Sequence, residues 1–224
     1  MLFAAFGSGP ATLRAPLPAS ASTLLPAGPP SLEIVAEYGT CPTCVQLQLP
    51  INRRNVTAVG YHGAGDDALP LRPVGRQKNA GFFSRVFHHV FGGGGSGTLG
   101  WYQLGGGAGP STGGLDVGAA PGTDVYAPVK GTIVSLRMYV VNGRPYGNEI
   151  AIQPSEDPAV VVVLNHLRAD PALTVGAPVS AGTVKIGTVI DFSGVEQQAL
   201  AAHTQDAGNH VTVMVQPAAA LALN

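Results

Sequence analysis

The chain has 224 residues, of which 45% are hydrophobic, enough to bury the core of one medium-sized domain with a smaller unit attached. Only 11% of the residues are charged, and twelve basic residues nearly balance thirteen acidic ones. Because a nucleic-acid-binding surface needs a basic face, no nucleic-acid partner is expected. The 31 glycines and 19 prolines are typical of short strands joined by tight turns, so the composition predicts a mostly β fold.

Residues 1–31 are rich in glycine, proline, alanine and serine, and they begin with a short apolar stretch. This composition predicts an extended linker. The apolar start resembles the remnant of a signal or membrane segment, although it lacks a basic region before it. No run of 18 apolar residues exists in the sequence, so no helix that spans a membrane is expected.

Residues 32–75 show alternating strand patterns and are predicted to form a small β unit. Cys41 and Cys44 lie between its first two strands, in the order Cys-Pro-Thr-Cys. A redox pair usually lies at the start of a helix, and a zinc knuckle needs a second pair of ligands. The pattern therefore favours a hairpin turn with free thiols or a small disulfide, and we assign these two residues no chemistry.

Residues 76–97 are predicted to form an amphipathic helix followed by a glycine-rich joint. Two interpretations of its apolar face remain open. The face packs onto the β domain, or it lies on an anionic membrane surface. The phenylalanines on this face are Phe82, Phe83, Phe87 and Phe91.

Residues 98–217 are predicted to form the main β domain, and residues 218–224 a short tail. Strand patterns cover residues 98–103, 125–136, 149–152, 160–167, 184–190 and 211–215. One segment differs, because Ser193 and Glu196 have the spacing of a capping box. A helix is therefore predicted over residues 193–203.

Three stretches of this domain resemble the motifs of one peptidase family. The first is a Gly-x-Asp pair, Gly114 and Asp116, followed by a glycine and valine pattern over residues 122–133. The second is Leu-Asn-His-Leu at residues 164–167, and the third is the run Asn-His-Val-Thr-Val at residues 209–213. Over residues 111–216, the chain resembles the lysostaphin-type (LytM-like) zinc endopeptidases, which cut peptide cross-links in bacterial cell walls.

The resemblance implies an antiparallel β-sandwich or partly open barrel, with a zinc ion held at positions 112, 116 and 212. Thr112 and Thr212 occupy two of these positions, so Asp116 is the only family ligand that is retained. A threonine hydroxyl is neutral and binds zinc much more weakly than an imidazole. Without a metal, the pKa of the attacking water is not lowered toward neutral pH. No cofactor is therefore expected. His166 and His210 match the histidines that assist the water in the family.

Three functions follow from this resemblance. The first is a catalytically inactive, extracytoplasmic module, secreted or membrane-tethered, that binds peptidoglycan peptide or an envelope protein through a cleft around Asp116, His166 and His210. The second is an active zinc metalloendopeptidase that uses those three residues as a rearranged ligand set. The third is a structural envelope domain tethered through its amphipathic helix. His203 and Asp206 are further ligand candidates, but no spacing supports them and an ordinary surface role is favoured.

Overall fold

The computed structural model describes residues 33–41, 44–80, 99–195 and 197–222. The predicted linker at residues 1–31, the phenylalanine-rich segment and the glycine-rich joint lie outside these residues. The strands are β1 (Ile34–Tyr38), β2 (Val45–Gln48), β3 (Val59–His62), β4 (Arg72–Pro73), β5 (Arg76–Gln77), β6 (Gly100–Gln103), β7 (Gly114–Gly118), β8 (Asp124–Tyr126), β9 (Gly131–Val141), β10 (Arg144–Pro154), β11 (Val160–Ala169), β12 (Pro178–Val179), β13 (Lys185–Val189) and β14 (His210–Pro217). Short 3-10 turns cover Arg53–Asn55, Ala199–His203 and Ala218–Ala222.

The strands form two sheets, and neither sheet closes into a barrel. The small sheet has the order β2-β1-β4. The large sheet has the order β12-β9-β10-β11-β14-β7-β3-β6-β5, and β13 joins β11 to β8. Pairing is antiparallel except where β6 meets β3 and β5. The prediction of a mostly β fold with antiparallel sheets is confirmed.

The core lies between the small sheet and the inner face of the large sheet. Successive side chains of a strand point to opposite faces, so alternate residues of β14 and β7 reach the core. Val211, Val213 and Val215 are buried there, together with the β7 residues Leu115 and Val117. The intervening residues of both strands therefore lie on the outer face, which is where the candidate site is built.

Strand β3 connects the N-terminal segment to the large sheet. It lies between β7 and β6, and its Val59 and Tyr61 belong to the same core cluster as β14. The buried hydroxyl of Tyr61 donates a hydrogen bond to the backbone oxygen of Val35 in β1, at 2.7 Å. The next residue, His62, therefore faces outward beside β7.

The helix predicted for residues 193–203 is wrong over the described residues. Residues 193–195 form a turn, and the only helical segment there is the 3-10 turn Ala199–His203, which begins after an extended Gln198. Ser193 does not cap a helix, because its hydroxyl and its backbone N–H both donate to Asp191. A local turn built on Asp191 therefore competes successfully with helix formation.

Among the described residues, no helix combines the length and the hydrophobicity that crossing a membrane requires.

Candidate functional site

Asp116 and Thr212 face each other on adjacent strands at the centre of the outer face. They are register partners in the pairing of β7 with β14, and they are 4% and 5% exposed. The hydroxyl of Thr212 donates a hydrogen bond of 2.8 Å to Oδ1 of Asp116. The family's third ligand position is therefore occupied by a side chain that bonds to the family's acidic ligand.

His62 is the second partner of Asp116, and the sequence patterns gave no signal for it. Its Nε2 lies 3.1 Å from Oδ1 of Asp116, and its Nδ1 lies 2.7 Å from the backbone oxygen of Gly63. A carbonyl and an ionised carboxylate only accept hydrogen bonds, so both ring nitrogens must carry protons. This geometry makes His62 an imidazolium cation.

His62 and Asp116 each favour the charged form of the other. Burial disfavours the His62 cation, but the hydrogen bond and the negative charge of Asp116 outweigh it and raise the pKa of His62 to about 8. Burial likewise opposes ionisation of Asp116, yet the charge of His210, the contacts of His62 and the Thr212 hydrogen bond lower its pKa to about 2. At neutral pH, the two residues therefore form a partly buried ion pair.

Gly114 provides the space for this ion pair. His62 and Gly114 are register partners, and a Cβ at Gly114 would lie 2.9 Å from Nε2 of His62 and from Cβ of Ala64. Such contacts are too short for a real side chain, so only glycine lets the imidazole lie across β7 and reach Asp116.

His166 and His210 form the other half of the site. Nδ1 of His166 lies 3.1 Å from Nε2 of His210 and 3.3 Å from Oγ1 of Thr212. Nδ1 of His210 donates to the backbone oxygen of Gly208 at 2.8 Å, and its Nε2 lies 3.4 Å from Oδ1 of Asp116. The histidines, Thr212 and Asp116 thus form one connected polar network.

His166 is held in an unusual conformation. Its φ is +61°, a left-handed value that costs a non-glycine residue roughly 1–2 kcal/mol. Its ring stacks on Phe192 at 4.5 Å and meets the edge of Tyr139 at 5.2 Å. Burial, followed by the charge of His210, lowers the pKa of His166 to about 4, so its ring is neutral at neutral pH.

The remaining residues singled out from the sequence lie in other contacts. The hydroxyl of Thr112 donates to the backbone oxygen of Leu71 at 2.7 Å. His203 stacks on Tyr102 at 4.1 Å, and the carboxylate of Asp206 accepts a hydrogen bond from Gly208 N at 2.9 Å. The structure thus brings Asp116, His166, His210 and Thr212 together, while Thr112 bonds to the neighbouring chain segment.

The residues of the site do not fit a tetrahedral zinc ion. Zinc needs about three donors with free lone pairs at ~2.0–2.2 Å from the metal. His62 uses Nδ1 on the backbone oxygen of Gly63 and Nε2 on Asp116, and Thr212 is a neutral hydroxyl. Among the described residues, the one group of three possible ligands with all donor atoms within 4.8 Å of one another lies elsewhere, at Glu37, Cys41 and Cys44.

No protein-family model matches the chain, and no characterised protein matches its sequence. Solved structures show partial similarity. Lysostaphin, in its NMR solution structure, is 21% identical over 47% of this chain and 36% of its own, with a TM-score of 0.35. Csd3 of Helicobacter pylori, in its hexagonal crystal, is 23% identical over 46% of this chain and 23% of its own, with a TM-score of 0.33. A chain of the SpoIIQ–SpoIIIAH pore-forming complex is 16% identical over 84% of this chain and 85% of its own, with a TM-score of 0.39.

This chain spans about a third of the lysostaphin chain and about a quarter of the Csd3 chain. At TM-scores below 0.5, the three similarities assign neither a family nor an activity to it.

Proposed function

We propose that this protein is a catalytically inactive relative of the lysostaphin-type endopeptidases. In this role it is an extracytoplasmic module, secreted or membrane-tethered, that binds peptidoglycan peptide or an envelope protein. The binding surface is the outer sheet face around Asp116, His166 and His210. The observation that carries the proposal is the pairing of Asp116 with His62 and Thr212, because a catalytic metal would have to compete with both contacts for the same carboxylate oxygen, Oδ1.

The network is suited to binding without cleavage. His166 is half-buried rather than buried, and its ring belongs to an aromatic cluster with Tyr139 and Phe192. A neutral imidazole in this setting can exchange hydrogen bonds with a peptide or a sugar.

Cosedimentation with purified cell-wall sacculi tests the proposal. We expect the full chain to sediment with the sacculi and to release no soluble fragments. The His166→Ala variant should lose most of this binding, whereas His203→Ala, which alters a histidine stacked on Tyr102, should bind like the wild type. Equal binding by both variants would contradict the assignment of the surface, and release of wall fragments would contradict the absence of catalysis.

An active zinc endopeptidase with rearranged ligands is the second candidate. One observation favours it: His62 adds a third imidazole to the histidines near Asp116, and the Nε2 atoms of His62 and His210 lie within 3.4 Å of Asp116 Oδ1. Deprotonation of His62 would free a lone pair for a metal. In that case the release of wall fragments would require one zinc per chain and would stop after chelation.

A further inference from the structure

The turn between β1 and β2 contains a disulfide whose two sulfurs differ in access. Cys41 and Cys44 are bonded to each other. Cys41 is exposed, whereas Cys44 is 8% exposed. A thiol from another molecule can therefore approach Cys41 more readily than Cys44.

Two charged residues face this disulfide. Arg72 of β4 places its Nη2 3.5 Å from Sγ of Cys41, and the same guanidinium donates to Oε2 of Glu37 at 2.7 and 3.0 Å. A carboxylate oxygen of Glu37 lies within 4.8 Å of both sulfurs. Glu37 disfavours negative charge on either sulfur, while the cation against Cys41 favours it there. The surroundings therefore select Cys41 as the sulfur that carries a thiolate.

A surface depression opens directly beside the disulfide. Both cysteines line it, together with Gln46, Gln48, Val129, Lys130 and Glu156, so its two charged residues are of opposite sign. Oε1 of Gln48 is buried and has no hydrogen-bond partner among the described residues. A buried acceptor without a partner is unfavourable, so the side chain of Gln48 would have to turn toward the depression before the N–H of a bound polypeptide could reach it.

We propose that Cys41 and Cys44 form a thiol–disulfide exchange site for a cysteine-containing polypeptide. Cys41 is the sulfur that forms the mixed disulfide, and Cys44 is the thiol released when the mixed disulfide forms. The cysteines belong to the turn between β1 and β2 of the small sheet, whereas Asp116 and Thr212 lie in the large sheet, so this proposal is independent of the function proposed for the Asp116 network.

The exchange balances with a partner dithiol as the only co-reactant. A partner thiolate attacks Sγ of Cys41, the Cys41–Cys44 bond breaks, and the electron pair leaves on Cys44, which takes up a proton. The partner's second thiolate then attacks its own sulfur in the mixed disulfide, and Cys41 leaves as a thiolate beside Arg72. Two electrons pass from the partner to the cysteine pair, and the partner becomes a disulfide.

Single-cysteine variants test the assignment of roles. The probe is Ellman's reagent, an aromatic disulfide whose cleavage by a thiolate is followed by absorbance. We expect Cys41 in the Cys44→Ser variant to react roughly tenfold faster at pH 7 than Cys44 in the Cys41→Ser variant, because thiolate fraction and access both favour it. Equal rates in the two variants would overturn the proposal.

Variants of Arg72 separate an exchange role from a purely structural one. In the Cys44→Ser background, Arg72→Met should slow the reaction and move its pH profile to higher pH, while Arg72→Lys should restore most of the rate. The matched control is Arg53→Met, which removes an arginine paired with Glu33 at 2.7 Å. Identical profiles for Arg72→Met and Arg53→Met would contradict the role of Arg72.

The complete exchange is tested with the oxidised full chain and a synthetic peptide that contains two cysteines. Mass spectrometry should show the peptide gaining a disulfide as the cysteine pair is reduced, with the circular dichroism of the protein unchanged. If the peptide is not oxidised, or if reduction of the pair unfolds the protein, the disulfide is structural and the proposal fails.

Discussion

His62 and Asp116 stabilise the fold as an ion pair only while His62 is protonated. The folded pKa of His62, about 8, exceeds its ordinary value of 6.5. The stabilisation is therefore complete below about pH 6.5 and is lost as the pH rises through about 8, and the gap corresponds to about 2 kcal/mol. On the acid side, the stabilisation from ionised Asp116 is lost only as the pH falls toward about 2.

The His62→Gln variant tests this pH dependence. Urea denaturation should show that the variant is less stable than the wild type at pH 6, and that the difference shrinks by about 2 kcal/mol at pH 9. His203→Gln is the control, since that ring contacts Tyr102 rather than a carboxylate. A stability difference for His62→Gln that stays constant between the two pH values would contradict the ion pair.

The two threonines at the family's ligand positions are predicted to contribute unequally to the free energy of unfolding. Thr212→Val removes a buried hydrogen bond to an ionised carboxylate, which typically contributes about 1.5–3 kcal/mol. Thr112→Val removes a bond to a neutral backbone oxygen, worth about 0.5–1.5 kcal/mol. Denaturant unfolding of the two variants makes the comparison, and an equal or larger loss for Thr112→Val would contradict the assigned contacts.

For single residues, the sequence motifs predicted only part of the network around Asp116. The motifs that contain Asp116, His166 and His210 are local, so their residues could be named before the structure was known. His62 could not be named, because it is 54 residues from Asp116 in sequence and meets it only through the pairing of β3 with β7. The bond from Thr112 to Leu71 could not be predicted for a similar reason, because it depends on how a segment distant in sequence packs.

Strands β3 and β7 bring His62 and Asp116 together, and the absence of a side chain at Gly114 leaves room for the His62 ring between them. Gly114→Ala should push the His62 ring away from Asp116, with a loss of about 1–3 kcal/mol from overpacking. The NMR titration midpoint of His62 should then fall from about 8 toward 6.5. Gly105→Ala is the matched control, because a Cβ there has no atom within 4 Å. An unchanged His62 midpoint in Gly114→Ala would refute this role for the glycine.

At the scale of elements, alternation of apolar residues found most strands but not their ends. The pattern over residues 125–136 indicated one strand, whereas the structure has two, β8 and β9. Pro128 lies between them and lacks the N–H that a continuous ladder of hydrogen bonds needs. Its backbone oxygen accepts a hydrogen bond from the backbone N–H of Gln48. The predicted helix failed for a comparable reason, since Asp191 uses the Ser193 donors in a turn.

For the whole molecule, β3 links the two sheets into one core. Tyr61→Phe removes the hydrogen bond to Val35 and leaves a buried backbone oxygen with one partner fewer, at a cost of about 1–3 kcal/mol. Because the core cluster includes residues of both sheets, we expect a single unfolding transition by circular dichroism and by Trp101 fluorescence. Separate transitions for the two probes would contradict the shared core.

The inactivity proposed for this site depends on the bonding of Asp116 to His62 and Thr212 in place of a metal. Zinc analysis of the full chain, with its disulfide intact and after dialysis against zinc-containing buffer, measures this most directly. We predict well below one zinc per chain for the wild type and a gain of zinc when His62→Ala and Thr212→His are combined. One tightly held zinc per wild-type chain, lost in the Asp116→Ala variant, would contradict the account.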